Sequence, residues 1–258
     1  MPILNWMTKN PLRQKIAAQE VAYGLWVTLE SATISEVAAE LELDWVCIDL
    51  EHGSLSFRDI VNHARAIKGS QTAIIVRVPA INSDYIKRSL DLGANGVLLP
   101  LVRSNEDLRE GFSYARYPPT GVRAIGSERA IRWGLRKDSY LNSANEETMV
   151  IPLIETAEAA LDIENILDVS GLEAVFFGPT VLSASQGHFN EWEGPGVAED
   201  ILRMTKLSIS KGVATGVVAT SIEDAQKRKQ QGFQMIGLGT DIDMMIRKTS
   251  SLLRVLKE

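Results

Sequence analysis

The sequence predicts an α/β protein of the closed (β/α)8 TIM-barrel class, and three observations carry that prediction. The chain has 258 residues, close to the ~250 typical of one such barrel. Eight short apolar runs rich in β-branched residues recur along it. Segments with helical periodicity separate those runs, which is how parallel strands joined by helical crossovers read in a sequence. A doubly wound open sheet is the alternative arrangement of the same units.

In chain order the strand-like runs fall at residues 23–28, 45–50, 73–78, 96–99, 149–154, 174–177, 214–218 and 234–238. Amphipathic stretches lie between them at 35–43, 57–67, 83–92, 105–114, 157–167, 197–211 and 221–231, and a last helix is expected at about 243–257. The spacing is uneven once. A long loop is expected at about 117–148, holding Tyr117-Pro118-Pro119-Thr120-Gly121, Arg123, Arg129, Arg132 and Trp133. A connection of that length in a compact domain reads as a functional loop or lid. One domain over residues 1–258 is the expected organisation.

Composition excludes several classes of function. The net charge of -6 comes from interspersed acidic residues, with no basic stripe alternating with aromatics, so neither nucleic acid nor an anionic membrane is the expected partner. Cys47 is the only cysteine, which excludes an internal disulfide and a cysteine-built zinc site and fits a reducing compartment. The first residues break their apolar side chains with polar ones and prolines, unlike a signal peptide or a membrane span. A cytoplasmic location is expected.

The barrel places active sites at the carboxyl ends of its strands, and polar residues collect there. The apolar run that begins at Trp45 ends in three ionisable side chains, Asp49, Glu51 and His52. Unpaired charge at a buried strand costs several kcal/mol, so this crowding points to a site. Histidine changes protonation near neutral pH, which makes His52 the acid-base candidate, with Asp49 expected to hold its tautomer. Glu51 is expected to hydrogen-bond behind the reacting groups. Arg77 interrupts Ile74-Ile75-Val76 and suits a carboxylate or a developing enolate oxygen, with an internal salt bridge as the alternative. Glu155 is a natural oxygen ligand for Mg2+ or Mn2+. The Gly178-Pro179-Thr180 turn, with a helix start expected at Ser183 or Ser185, offers backbone N–H groups to a substrate carboxylate.

Absences narrow the chemistry. No run carries a lysine, which Schiff-base catalysis needs inside the barrel. Carbonyl chemistry is therefore expected to use a metal or fixed positive charge to stabilise an enolate. No Walker loop, dinucleotide fingerprint or nucleophile elbow occurs. His63 is expected at the surface, Cys47 in the core, His188 in a loop near the pocket, and Asp241 and Asp243 as caps of the last helix.

These motifs resemble the HpcH/HpaI family of aldolases, which act on 2-keto-3-deoxy or 4-hydroxy-2-oxo acids. The likeness runs through Gly24-Leu25-Trp26, Ile48-Asp49-Leu50-Glu51-His52-Gly53, Val76-Arg77-Val78-Pro79, Leu90-Asp91-Leu92-Gly93-Ala94, Ala115-Arg116-Tyr117-Pro118-Pro119 with Gly121 and Arg123, Ile154-Glu155-Thr156, and Gly178-Pro179 with Leu182-Ser183-Ala184-Ser185. The resemblance implies a (β/α)8 barrel, a hexamer of paired subunits exchanging the last helix, and a divalent metal that chelates pyruvate. It implies His52 with Asp49 as the acid-base pair, Arg77 on the pyruvate oxygens, Glu155 as a metal ligand and Trp26 against the substrate. The chain departs from the family in three places. Val181 stands where the family has a second metal-ligand aspartate, Leu153 replaces a glutamine, and Arg123-Ala124-Ile125-Gly126 replaces Arg-Gly-x-Gly.

The function expected is a metal-assisted carbon–carbon lyase that cleaves or forms 4-hydroxy-2-oxo acids through a pyruvate enolate, with a small 2-oxo acid and an aldehyde as its partners. The alternatives are a decarboxylating or condensing 2-oxo acid enzyme of the same fold, and a catalytically silent metabolite-binding barrel, the latter motivated by Val181.

Overall fold

The structure, a computed structural model, describes residues 9–189, 191, 193 and 196–257. The expectations for the first eight residues and for Trp192 therefore fall outside it. Eight parallel strands close into a barrel in sequence order: β1 (Ala22–Val27), β2 (Trp45–Asp49), β3 (Ala73–Arg77), β4 (Gly96–Leu99), β5 (Met149–Ile154), β6 (Ala174–Phe177), β7 (Ala214–Val218) and β8 (Met235–Thr240). β1 pairs with β8 to complete the ring, with a register shift between Gly24 and Trp26.

Side chains alternate across a strand, and here one set fills the barrel while the other packs under the helices. Trp45, Cys47, Ile75, Ile151, Leu153 and Phe176 belong to the interior cluster. Val46, Ile48, Ile74, Val76, Val97 and Val175 belong to the outer layer beneath the helices. Trp45 meets Phe176 edge-on at 6.0 Å between ring centroids. The first helix, α1 (Pro11–Ala17), lays Leu12 and Ile16 against the interior cluster and so closes the amino-terminal end of the barrel.

The crossover helices start where capping chemistry allows. α2 (Ala32–Glu40) is followed by α3 (Phe57–Ala66), which opens on a Ser56–Asp59 capping box. α4 (Ser83–Asp91) and α5 (Asn105–Ala115) are capped by Asn82 and Ser104, which satisfy otherwise orphaned N–H groups. His63 is fully buried rather than at the surface, because α2 and α3 pack together and bring Ser35 Oγ to 2.7 Å from its Nδ1. Burial pushes its pKa down, against Asp59 and Asp241.

The segment expected as a long loop is instead partly helical. It holds a 3-10 turn, Arg129–Gly134, and α6 (Lys137–Glu147). It also lies at the amino-terminal end of the strands. Arg129 Nη2 donates to Ala64 O at 2.6 Å, at the end of α3, and Glu147 accepts from the Asn10 N–H at 2.6 Å beside α1. Arg123 is buried there, paired with Asp91 at 2.6 Å and lying 4.5 Å above the Tyr117 ring. This segment does not cover the carboxyl-terminal mouth of its own barrel.

The stretch expected as one helix at 157–167 divides into α7 (Ala157–Leu161) and α8 (Ile163–Leu167) at Asp162, whose carboxylate accepts from the Asn105 N–H. After β6 comes α9 (Pro179–Ser185), which begins at Pro179 rather than at Ser183 or Ser185. Proline is preorganised for the first helical position and lacks an N–H that would go unpaired there. Ser183 and Ser185 donate back to the carbonyls of Thr180 and Leu182 instead of capping. α10 (Val197–Ser210), α11 (Ile222–Gln230) and α12 (Asp241–Lys257) complete the chain. Asp241 does more than cap: its carboxylate accepts from the N–H groups of Thr28 and Leu29, tying the end of β8 to the end of β1. Among the described residues, no helix is long and apolar enough to cross a membrane.

Candidate active site

Strand parity delivers the candidate residues to one mouth. Asp49 follows Trp45 and Cys47 on the inward face of β2, and Arg77 follows Ala73 and Ile75 on β3. Glu155 continues the inward series Met149, Ile151, Leu153, and Gly178 follows Phe176. Trp26 closes the same interior set on β1. Asp49 and Arg77 are register partners across the β2–β3 ladder.

The centre is a fork. Arg77 Nε donates to Asp49 Oδ1 at 2.9 Å, and Arg77 Nη2 donates to Asp49 Oδ2. Trp26 Nε1 adds a bond to Asp49 Oδ2 at 3.2 Å, with its ring centroid 5.0 Å from the guanidinium carbon. Arg77 Nη1 lies 3.1 Å from Glu51 Oε2. Burial raises the Asp49 pKa, but the Arg77 fork outweighs it and holds the carboxyl below the usual range. Burial likewise lowers the Arg77 pKa, and Asp49 more than reverses it. A buried pair of this kind is matched in charge and geometry, and removing one partner strands the other.

Asp49 does not hold the His52 ring. Its Oδ1 accepts the backbone N–H groups of Glu51 and His52, at 3.0 and 3.2 Å, so it shapes the turn after β2. The imidazole stands at the rim, 68% exposed, with Nε2 3.7 Å from Glu51 Oε2. The carboxylate facing His52 is therefore Glu51, whose role the sequence undervalued. Its proximity was legible only as adjacency, because side chains one residue apart do not reveal which one turns toward which. Burial raises the Glu51 pKa, with Arg77 and His52 opposing and Asp49 adding.

Glu155 lies deeper, 3% exposed, and Oε1 accepts the Leu101 N–H at 2.8 Å. Leu101 holds φ 49, a left-handed conformation unusual for leucine, and so aims that N–H at the carboxylate. Burial first, then Glu51, pushes the Glu155 pKa up to about 7. Gly178 is required beside it: a Cβ there would stand 2.9 Å from Glu155 Oε2. Pro179 opens α9 next to this carboxylate, Thr180 is exposed, and Val181 is 40% exposed on the same helix. His188 lies beyond α9, its N–H bonded to the Ser183 carbonyl.

The donor set sets the terms for a divalent cation. Among the described residues, no group of three or more His, Cys, Asp or Glu side chains converges as a metal site. Val181 offers no donor, Asp49 is committed to Arg77, and Glu155 has one oxygen beyond its bond to Leu101. A single carboxylate fits an ion such as Mg2+ that keeps several waters and shares oxygens with its substrate.

Comparison with known proteins agrees with this geometry. The family model described as HpcH/HpaI aldolase/citrate lyase matches residues 22–248. A 4-hydroxy-2-oxovalerate aldolase of Rhodococcus jostii is 34% identical over 245 residues, covering 94% of each chain. The crystal structure of an HpcH/HpaI aldolase/citrate lyase family protein from Burkholderia cenocepacia superposes with a TM-score of 0.92 at 31% identity, covering 97% of this chain and 100% of that one. A structure of the citrate synthase SbnG gives 0.86 at 27% identity, covering 97% and 98%. With the closed eight-stranded barrel and a fork of Asp49 and Arg77 at its carboxyl-terminal mouth, these likenesses establish that the chain belongs to the HpcH/HpaI aldolase/citrate lyase family and is a carbon–carbon lyase.

Proposed function

We propose that this enzyme cleaves, and in reverse forms, a 4-hydroxy-2-oxo acid through the enolate of pyruvate. The observation that carries this reading is the Arg77 guanidinium, fixed by Asp49 and Glu51 beside the buried Glu155. In cleavage the proton of the C4 hydroxyl leaves, the C3–C4 bond breaks and an aldehyde departs. The electron pair passes to C3 and the C2 oxygen, and a proton delivered to C3 completes pyruvate. His52 takes the hydroxyl proton, and Glu51 stabilises the imidazolium that forms. Arg77 binds the 2-oxo acid carboxylate and the developing enolate oxygen, positive charge that needs no reorganisation because Asp49 already holds it. Trp26 packs against the substrate, and the Gly178-Pro179-Thr180 turn leaves room for its carboxylate.

Glu155 would hold a divalent cation, Mg2+ or Mn2+, which when bound supplies Lewis-acid stabilisation of the enolate. The enzyme is further proposed to be cytoplasmic and to assemble as a homo-oligomer, a hexamer of swapped dimers. The assembly reading is supported by exposed apolar side chains along α12, among them Met245, Ile246, Val255 and Leu256.

Deuterium exchange at C3 of pyruvate, followed by proton NMR with Mg2+ supplied, tests the chemistry. Exchange is expected in the wild type, with His52→Ala slowing it by about 10^2–10^4. An inert wild type would overturn the proposal. The likeness to a citrate synthase favours a second reading, in which the same enolate condenses rather than protonates. Screening 2-oxo dicarboxylic acids for CO2 release or condensation products separates the two.

A further inference from the structure

Asp241 makes contacts that a helix cap does not need. It is the first residue of α12 and is 9% exposed. A capping bond for that helix comes from its neighbour, since Thr240 Oγ1 accepts the Asp243 N–H at 3.1 Å. The Asp241 carboxylate turns mainly to the exit of β1, 213 residues earlier in the chain. Oδ1 accepts the Thr28 hydroxyl at 2.8 Å, and Oδ2 accepts the N–H groups of Thr28 and Leu29, each at 3.0 Å. The Ile242 N–H adds a bond to Oδ1 at 2.9 Å. Bonds to an ionised carboxylate are stronger than those between neutral groups.

The seam between β1 and β8 explains why those bonds are needed there. From Gly24↔Gly237 to Trp26↔Thr240 the ladder advances two residues on β1 and three on β8, the extra residue of a bulge. Gly239, at φ 123, lies within it. On the other side the ladder with β2 reaches Val27↔Ile48. Thr28 and Leu29 follow these last paired residues, and Asp241 takes N–H groups that a continued ladder would have taken. What Thr28 supports in turn belongs to the mouth. Its carbonyl packs on Gly53, where a Cβ would stand 3.2 Å from Thr28 O and 2.7 Å from Asp49 O. Gly53 directly follows His52. Two residues before Thr28, the Trp26 indole donates to Asp49 Oδ2.

We propose that Asp241 is a positioning residue for the lyase reaction: it fixes the exit of β1 so that Thr28 backs the His52 turn and Trp26 stays on the fork. The proposal rests on the roles given above to His52 and Arg77. Asp241 acts through Thr28, not on the substrate. Misplacing a reacting group by about 1 Å costs on the order of 10^2-fold in rate, so a small slip of this exit reaches the chemistry. Arg77, clamped by Asp49 and Glu51, would still bind the 2-oxo acid.

Asp241→Asn keeps the shape but turns an amide NH2 toward N–H donors whichever way the amide lies, because both oxygens accept backbone N–H groups. Exchange at C3 of pyruvate with Mg2+ supplied, followed by proton NMR across pyruvate concentrations, should show kcat falling about 10- to 100-fold with KM within about threefold. Thr28→Val removes the hydroxyl bond alone and serves if Asp241→Asn does not fold. It should lower kcat about 3- to 10-fold, and Thr28→Ser should restore it. In parallel, amide hydrogen exchange read by mass spectrometry should quicken over residues 26–31 and 50–54 in Asp241→Asn or Thr28→Val. Wild-type kcat per folded molecule in both variants, or equal activity in Thr28→Val and Thr28→Ser, would overturn the proposal. An inert wild type would overturn the reaction reading instead. Amide exchange then decides: quickening over 50–54 upholds the positioning role, and unchanged rates overturn it.

Discussion

The two ends of the barrel handle positive charge in opposite ways. At the carboxyl-terminal mouth Arg77 is enclosed by Asp49 and Glu51, and the ladder register between β2 and β3 sets that pairing. At the amino-terminal end Arg129 is held by the carbonyl oxygens of Ala64 and Leu92. The first arrangement fixes a cation so that it can act without rearranging. The second spends the charge on backbone carbonyls and so seats the segment after α5 against the ends of α3 and α4. One barrel thus builds its proposed reaction centre from strand parity and ties down a loop excursion through backbone carbonyls.

Breaking the mouth should have the largest effect. Arg77→Met strands the buried Asp49 carboxylate, and loss of one partner of a buried pair costs about 3–5 kcal/mol. Denaturant melts should register that loss, and kcat for cleavage should fall at least 10^3-fold. A variant that melts normally and turns over would dissolve the contrast between the two ends.

Glu155 sharpens the comparison through pH. Its folded pKa, about 7, lies above the unfolded value near 4.5, so the native state holds the proton more tightly. The stability from that proton is fully present below pH 4.5 and is lost as pH rises through 7. At ~1.4 kcal/mol per pKa unit the loss approaches ~3 kcal/mol. Glu155→Gln should remove this dependence, so that the variant gains on the wild type between pH 5 and 8 in thermal melts. Mn2+ binding, read by electron paramagnetic resonance, should strengthen over the same interval in the wild type because metal and proton compete. Coincident melting curves at every pH would contradict the assignment.

Val181→Asp should restore a second carboxylate and tighten Mn2+ binding by more than tenfold, a larger step than expected for residues that only orient ligands. The smallest effect belongs to the other end. Arg129→Gln removes bonds to two carbonyls and should cost about 1–2 kcal/mol while leaving kcat unchanged, measured by melting and pyruvate turnover in parallel.

Much of the fold was legible because it rests on period. The alternation of apolar runs with helical segments implied the barrel, and counting by two from Trp45, Ala73 and Met149 already sends Asp49, Arg77 and Glu155 inward. The identity of each charge's partner was less legible. Asp49 serves Arg77 and Trp26 rather than the His52 ring, because β2 and β3 stand side by side while the imidazole lies beyond the strand, on a turn free to face outward. His63 departs from its expected surface position for a related reason: its own helix would accept it at the surface, and only the packing of α2 on α3 encloses it against Ser35.

The sequence by itself determined the barrel, its inward set of polar residues, its family and the apolar residue at position 181, since each follows from residue type and spacing along one chain. Tertiary structure alone decided that Glu51 faces His52, that Glu155 is buried deeply enough to titrate near neutrality, and that the arginines after α5 gather at the amino-terminal end. Those outcomes depend on distances between segments far apart in the chain, where electrostatics and burial act through space rather than along the backbone.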